Sequence, residues 1–151
     1  MDACRYFAGL IIGALQGRSR DELVTTLFSP AGGHWAPGEL APEIEKVAAG
    51  SFLRREPLEI RGSGYLLRSL EAGLWALARS TTFADGALLA VNLGDDADTT
   101  GAVFGQLAGA HYGYSGIPER WLELLYDRQS IEDIARQIHA SATERSGARS
   151  P

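Results

Sequence analysis

Cysteine and basic residues are both scarce in this chain of 151 residues. The single cysteine, Cys4, cannot form a disulfide within the chain and fits a reducing compartment, so we expect a cytoplasmic protein. The chain has 14 lysine and arginine residues against 19 acidic residues, which gives a net charge of −5. Because the basic stripe typical of nucleic-acid-binding proteins is missing, we do not expect a nucleic-acid partner.

Long apolar segments are also missing from the sequence. Each apolar run is broken by glycine, arginine or aspartate before it reaches the ~18 residues that a membrane-spanning helix requires. Residues 1–10 mix acidic and basic side chains and lack the order of a signal peptide. We therefore expect neither a membrane segment nor a membrane partner.

No segment shows the sustained apolar–polar alternation of a half-buried strand, and we predict an all-α fold. Leu66, Leu70, Leu74 and Leu77 recur at helical spacing and predict an amphipathic helix that opens at Ser63. The other predicted helices span residues 6–15, 21–28, 42–52, 83–93, 98–112, 119–126 and 131–142. Residues 143–151 are polar and small, and we expect them to be a disordered tail.

Glycine recurs every fourth residue along the helix predicted over residues 98–112. These positions are Gly101, Gly105, Gly109 and, at the end, Gly113. A glycine inside a helix costs about 1 kcal/mol relative to alanine, so a row of them needs a reason. Because residues four apart lie on one helix face, we predict that another backbone approaches this face closely.

The segment that carries chemistry precedes that helix. Asp95, Asp96 and Asp98 place three carboxylates within four residues, and Thr99 adds a hydroxyl oxygen. Such closely spaced like charges repel each other, and a hard divalent cation with a preference for oxygen ligands would relieve the repulsion. The alternative is that Asp96 or Asp98 only caps the following helix. We favour metal binding because capping needs one aspartate, not three.

Two other kinds of metal site fit the sequence less well. An EF-hand loop starting at Asp96 would place Leu107 at the position that requires a bidentate glutamate. Zinc would require a cluster of cysteine and histidine ligands, whereas Cys4, His34, His111 and His139 are scattered. The oxygen-rich ligands suit Mg²⁺ and Mn²⁺ equally well.

Three stretches of the chain resemble the C-terminal half of the ADP-ribosylglycohydrolase family. The most specific is AVNLGDDADTTGAVFGQLAGAHYGYSGIPERW, residues 90–121, and the similarity continues upstream through residues 63–94 and, more loosely, 2–23. The resemblance implies an all-α orthogonal multi-helix bundle that binds two Mg²⁺ or Mn²⁺ ions. It also implies hydrolysis of the bond between ADP-ribose and a protein side chain or a small acceptor.

The resemblance also assigns residues to the site. It implies that Asp96, Asp98 and Thr99 are metal ligands and that Asp95 lies outside the ligand set. It implies that Gly64 and Tyr65, just before the amphipathic helix, contact the bound ADP-ribose. It assigns no catalytic residue in this chain.

The family's N-terminal half carries a Thr-Asp-Asp-Thr motif with further metal ligands, and the printed sequence lacks this motif. We therefore expect residues 1–142 to be the C-terminal portion of an ADP-ribosylglycohydrolase domain. An ADP-ribosylated protein or small molecule and a separate N-terminal half are the expected partners. The alternative is a truncated helical module without catalytic activity. Either way, we expect an exposed apolar face that promotes association.

Overall fold

A computed structural model describes residues 1–56, 59–60 and 65–147, with side chains as far as residue 142. These residues form helices and contain no strand, and Phe28 and His34 form an isolated antiparallel bridge. The all-α prediction is therefore confirmed. The α-helices are α1 (Asp2–Leu15), α2 (Arg20–Leu23), α3 (Pro42–Ala48), α4 (Leu66–Arg79), α5 (Phe83–Val91), α6 (Ala97–Tyr112), α7 (Glu119–Leu124) and α8 (Arg128–Gly147).

The chain divides into two compact units. The first, Met1–Ile117, contains α1 to α6 and short 3-10 helices at Ser51–Arg54 and Tyr114–Gly116. The second, Pro118–Pro151, contains α7 and α8. None of the helices in the described ranges combines the length and apolar character needed to cross a bilayer.

The first unit is organised around α4. This helix packs against α1, α3, α5 and α6, and every residue from Ser69 to Leu77 is buried. The leucine spacing predicted one apolar face, but in the structure neighbouring helices surround the middle of α4 on all sides. The small residues of α4 explain why, since a Cβ atom at Gly73 would lie 3.3 Å from the backbone nitrogen of Phe104. Glycine at this position lets the backbone of α6 approach α4 closely.

The glycine row on α6 has a different environment from the one predicted. A Cβ atom at Gly105 or Gly109 would meet no atom of the described chain within 4 Å, and one at Gly101 would meet only the Val91 side chain, at 3.0 Å. The predicted close approach of another backbone is therefore wrong for Gly105 and Gly109. That approach occurs on the opposite side of the interface, at Gly73 of α4.

A capping box opens α2. The Glu22 N–H donates to Ser19 Oγ at 3.2 Å, and the Ser19 N–H donates to Glu22 Oε2 at 2.8 Å. The helix nevertheless ends at Leu23, whereas the sequence predicted a helix as far as Phe28. Leu27 adopts a left-handed conformation with φ 57°, and its N–H donates to the carbonyl of Ala48 at 2.6 Å. A tertiary hydrogen bond thus replaces the helix.

Two other predicted helices have different boundaries. The segment 42–52 is interrupted at Gly50, whose φ of 87° is accessible to glycine without strain. The last helix was predicted from residue 131 but begins at Arg128, directly after Asp127 with φ 52°. It continues to Gly147, beyond the predicted end at residue 142.

Candidate functional site

The acidic motif lies in the turn between α5 and α6. Gly94 has φ 77° and Asp95 has φ 50°, so two consecutive residues adopt left-handed conformations before α6 begins. This turn reverses the chain tightly and leaves the Asp95 side chain exposed. Left-handed backbone is unusual for a residue other than glycine, and aspartate is one of the side chains that tolerate it best.

Asp96 is the residue before the first turn of α6, the position at which an aspartate normally caps a helix. Its side chain makes no capping hydrogen bond, although its carbonyl accepts from the Thr100 N–H at 3.0 Å. The capping alternative therefore does not hold for the Asp96 carboxylate. This carboxylate is half-buried.

Asp98 follows in the first turn of α6 and is exposed. A hydrogen bond with the Asp96 side chain lowers the pKa of Asp98, and the backbone N–H groups of Thr99 and Asp98 lower it further. The structure thus brings Asp96 and Asp98 together. Two carboxyl groups can hydrogen-bond only by sharing a proton, and a cation at the same place would supply the positive charge instead.

The two threonines after Asp98 differ in environment. Thr99, the predicted ligand, is exposed, whereas Thr100 is fully buried and its Oγ1 has no partner among the described residues. Sequence analysis did not single out the Thr100 hydroxyl because the identity of a residue does not reveal its burial. A buried hydroxyl without a partner costs free energy, so this turn of α6 is not optimised for stability alone.

The described part of the chain does not contain a complete metal site. No group of three or more histidine, cysteine, aspartate or glutamate side chains that could hold an ion occurs in it. Asp96 and Asp98 form a pair, and the Thr99 hydroxyl follows in sequence. The arrangement can therefore supply some of the oxygen ligands of a divalent cation.

Tyr65 lies at the start of α4, and 62% of its surface is exposed. Together with Leu66, Leu67 and Ile44, it lines a cavity of about 320 Å³ between the start of α4 and residues of α1 and α3. None of the three predicted metal ligands lines this cavity. Gly64, the other predicted substrate residue, lies outside the described residues.

Comparisons with known proteins give a consistent result. The ADP-ribosylglycohydrolase family profile matches residues 1–148. The chain belongs to the ADP-ribosylglycohydrolase family. A solved chain of an ADP-ribosylglycohydrolase-related protein complex has the same fold, with a TM-score of 0.77 and 41% identity over 88% of this chain.

Curated relatives of this chain include two ADP-ribosylarginine hydrolases named Tri1. The protein of Serratia proteamaculans (strain 568) is 39% identical and that of Pseudomonas putida (strain GB-1) 36% identical, each over 95% of this chain. The ADP-ribosyl-[dinitrogen reductase] glycohydrolase of Rhodospirillum rubrum is 40% identical over 56% of the chain.

The chain spans only part of these relatives. It covers 37% of the Serratia protein, 36% of the Pseudomonas protein and 29% of the Rhodospirillum protein. It covers 44% of the solved chain.

Sequence analysis of this family member missed a buried carboxylate on α4. Glu71 is 7% exposed, accepts a hydrogen bond from Ser51 Oγ at 2.5 Å and pairs with the Arg55 guanidinium at 3.3 Å. These contacts fix the 3-10 helix at Ser51–Arg54 to the core. A glutamate among the leucines of α4 is normally expected on the exposed face, and only the fold shows that Glu71 is buried.

His111, in the last turn of α6, is half-buried next to Tyr112, with their ring centroids 4.7 Å apart. A histidine at a helix C-terminus interacts favourably with the helix dipole. His111 therefore belongs to the end of α6.

Proposed function

We propose that this chain supplies one part of the active site of an enzyme that hydrolyses the bond between ADP-ribose and an acceptor. Family membership supports the reaction class. The names of two relatives, both ADP-ribosylarginine hydrolases, make an arginine side chain of a protein the first acceptor to test. The observation that carries the proposal is the paired Asp96 and Asp98 carboxylates at the start of α6.

Asp96, Asp98 and Thr99 are the residues that would hold divalent metal. Their carboxylate and hydroxyl oxygens fit Mg²⁺ or Mn²⁺, and the Asp96 side chain makes no capping hydrogen bond to α6. Bound ions of this kind lower the pKa of a coordinated water and orient substrate oxygens. An aspartate is ionised at neutral pH, and the lowered pKa of Asp98 acts in the same direction.

Tyr65 and Gly64 are proposed to contact the ADP-ribose. The Tyr65 ring is exposed at the start of α4, where a planar group of the substrate could stack against it. The remaining metal ligands and the carboxylate that takes a proton from the attacking water would belong to a separate N-terminal half of the family fold. Hydrolysis therefore requires both parts.

Metal binding is tested first by calorimetric titration of the chain with Mn²⁺ and with Mg²⁺. We expect binding heat that disappears in an Asp96→Ala/Asp98→Ala variant. Asp85→Ala is the matched control, because Asp85 is an exposed aspartate in the first turn of α5 and has no place in the proposed site. Equal heats for all three proteins would contradict the proposed ligands.

Catalysis is tested by reconstitution. The chain is mixed with the portion of the Serratia relative that lies outside the matched region, and release of ADP-ribose from an ADP-ribosylated arginine protein is measured with Mn²⁺ present. We expect release with the wild-type chain, much less with Asp98→Ala and little change with Asp85→Ala. Hydrolysis that is unaffected by Asp98→Ala would refute the proposal.

The incomplete metal site also favours a second candidate function. Since the described residues contain no group of three metal-binding acidic, histidine or cysteine side chains, the chain can act as a helical binding module without hydrolysing anything itself. Binding of ADP-ribose in the calorimeter without release of ADP-ribose in the reconstituted mixture would support this function over the first.

A further inference from the structure

Three cationic side chains line one cavity of the first unit, which we refer to as the basic cavity. It has a volume of about 540 Å³ and lies among α3, α4 and the 3-10 helix at Ser51–Arg54. Lys46, Arg54 and Arg55 contribute the cations, and Glu43 and Glu71 are the carboxylates of its lining. Because the chain as a whole has a net charge of −5, this concentration of positive charge is not the general character of its surface.

Arg55 is held in place through both its side chain and its backbone. Its guanidinium pairs with the buried Glu71 at 3.3 Å, and its carbonyl accepts from Trp75 Nε1 at 3.1 Å and from Arg79 Nη2 at 2.8 Å. The Arg55 side chain is nevertheless 44% exposed. A guanidinium has five N–H donors, more than one carboxylate can occupy. Since Arg55 is already ordered, it loses little conformational entropy when a further acceptor binds.

The other two cations of the basic cavity have no counter-charge of their own. Lys46 and Arg54 are exposed, and neither forms an ion pair with any residue that the structure describes. Glu71 is engaged by Arg55, so Glu43 is the remaining carboxylate of the lining and the cavity keeps an excess of positive charge. An anion with several acceptor oxygens would supply the missing negative charge.

We propose that the basic cavity binds the diphosphate group of a small molecule. A diphosphate has at least two negative charges at neutral pH, and its oxygens match the planar donors of arginine and the point charge of lysine. The cavity has the volume of a small-molecule site. Asp96, Asp98 and Thr99 do not line it, so the diphosphate site is separate from the proposed metal ligands.

The diphosphate has two possible sources, which the structure relates to each other. Glu43 and Leu67 line both the basic cavity and the cavity of Tyr65, so the two cavities adjoin. A diphosphate in the basic cavity can therefore belong to ADP-ribose whose planar base lies at Tyr65, or to a free polyphosphate anion. Both sources share the chemistry that Lys46, Arg54 and Arg55 recognise.

Calorimetric titration of the full chain with sodium pyrophosphate, without added metal, tests the site. The wild-type chain binds, Arg54→Ala and Lys46→Ala each weaken binding about tenfold, and Arg54→Lys retains most of it. Glu43→Gln tightens binding, because it removes a like charge from the lining. Arg18→Ala is the matched control, since it removes the same charge from an exposed arginine outside the cavity and leaves the Kd unchanged.

A second measurement locates the bound anion. Lys46 is the only lysine of the chain, so acylation of lysine by an amine-reactive ester, followed by peptide mass spectrometry, reports on this cavity. Pyrophosphate slows acylation of Lys46 in the wild-type chain and does so much less in Arg54→Ala. Acylation unaffected by pyrophosphate in the wild type, or equal losses of affinity in Arg54→Ala and Arg18→Ala, would overturn the proposal.

Titrations with ADP and ADP-ribose distinguish the two sources. Binding of both, weakened by Arg54→Ala as for pyrophosphate, assigns the site to the diphosphate of the substrate. Binding of pyrophosphate alone assigns it to a free polyphosphate anion. An acidic peptide that binds where pyrophosphate does not would refute a diphosphate site. Since metal is absent throughout, loss of Mn²⁺ binding in Asp96→Ala/Asp98→Ala and loss of pyrophosphate binding in Arg54→Ala are independent results.

Discussion

Phe104 is the residue at which α4, α5 and α6 come together. It is 1% exposed, and its ring lies 5.8 Å from the ring of Phe83, in a tilted arrangement. Gly73 of α4 borders its backbone, and Gly86 of α5 borders its ring. The position of α6, and with it the start of this helix at Asp96 and Asp98, thus depends on two glycines on neighbouring helices.

We predict that Gly86→Ala destabilises the fold. A Cβ atom at this position would contact the Phe104 ring and would lie 2.6 Å from Ser80 Oγ. Overpacking of this kind costs about 1–3 kcal/mol, because the ring cannot move without disturbing the core. Urea unfolding followed by circular dichroism measures the effect, and an unchanged midpoint would show that the Phe104 ring has room to shift.

The residues of the acidic motif could be predicted from sequence because their chemistry and spacing are local. Asp96 and Asp98 are two positions apart, and the structure brings their side chains together. Glu71 could not be predicted in the same way. Its partners Ser51 and Arg55 are close only because the 3-10 helix folds back onto α4, which local spacing does not encode.

At the scale of single elements, α2 is a very short helix that is stabilised by its N-terminal cap. Its four residues begin with the reciprocal hydrogen bonds of Ser19 and Glu22. Hydrogen bonds from the backbone and side chain of Ser19 are the main causes that lower the pKa of Glu22. The cap therefore couples the stability of this segment to pH.

We predict that Ser19→Ala lowers stability by about 1 kcal/mol at neutral pH, because it removes a capping side chain. Since the pKa of Glu22 is lower in the folded chain than in the unfolded chain, its contribution is present above the unfolded value of about 4.3. It is lost as pH falls through the folded value. Unfolding curves of the wild type and Glu22→Gln should therefore converge in acid, and a difference independent of pH would argue against this linkage.

For the glycine row of α6 we predict that substitution by alanine stabilises the chain. An added methyl at Gly105 or Gly109 would meet no described atom, so Gly105→Ala and Gly109→Ala should each stabilise the chain by about 0.5–1 kcal/mol. Thermal unfolding checks this, with Gly73→Ala as a control that should destabilise, since its methyl would crowd Val103 and Phe104. If Gly105→Ala destabilised the chain, this face of α6 would have to be packed.

The boundaries of elements could be predicted where local signals decide them and not where tertiary contacts do. Residues 98–112 were predicted as a helix and α6 spans Ala97–Tyr112, because the acidic turn and Gly113 mark both ends. The end of α2 depends instead on the hydrogen bond from Leu27 to Ala48. The glycine row was misinterpreted for the same reason, since spacing identifies a helix face but not what lies against it.

At the scale of the whole molecule, burial is uneven between the two units. In the first unit, α4 is buried from Ser69 to Leu77, whereas in the second unit α8 exposes its isoleucines. Local opening is easiest where few apolar contacts must be broken. The two helices should therefore differ in how their backbone hydrogen bonds open.

We predict that amides in the middle of α4 exchange with solvent only through global unfolding. Those of α8 should exchange much faster, through local opening, because the helix buries little apolar surface in the described structure. Native-state hydrogen exchange at increasing denaturant separates the two behaviours, since only global opening accelerates steeply with denaturant. Equal protection of α4 and α8 would mean that α8 does not open locally and would contradict this prediction.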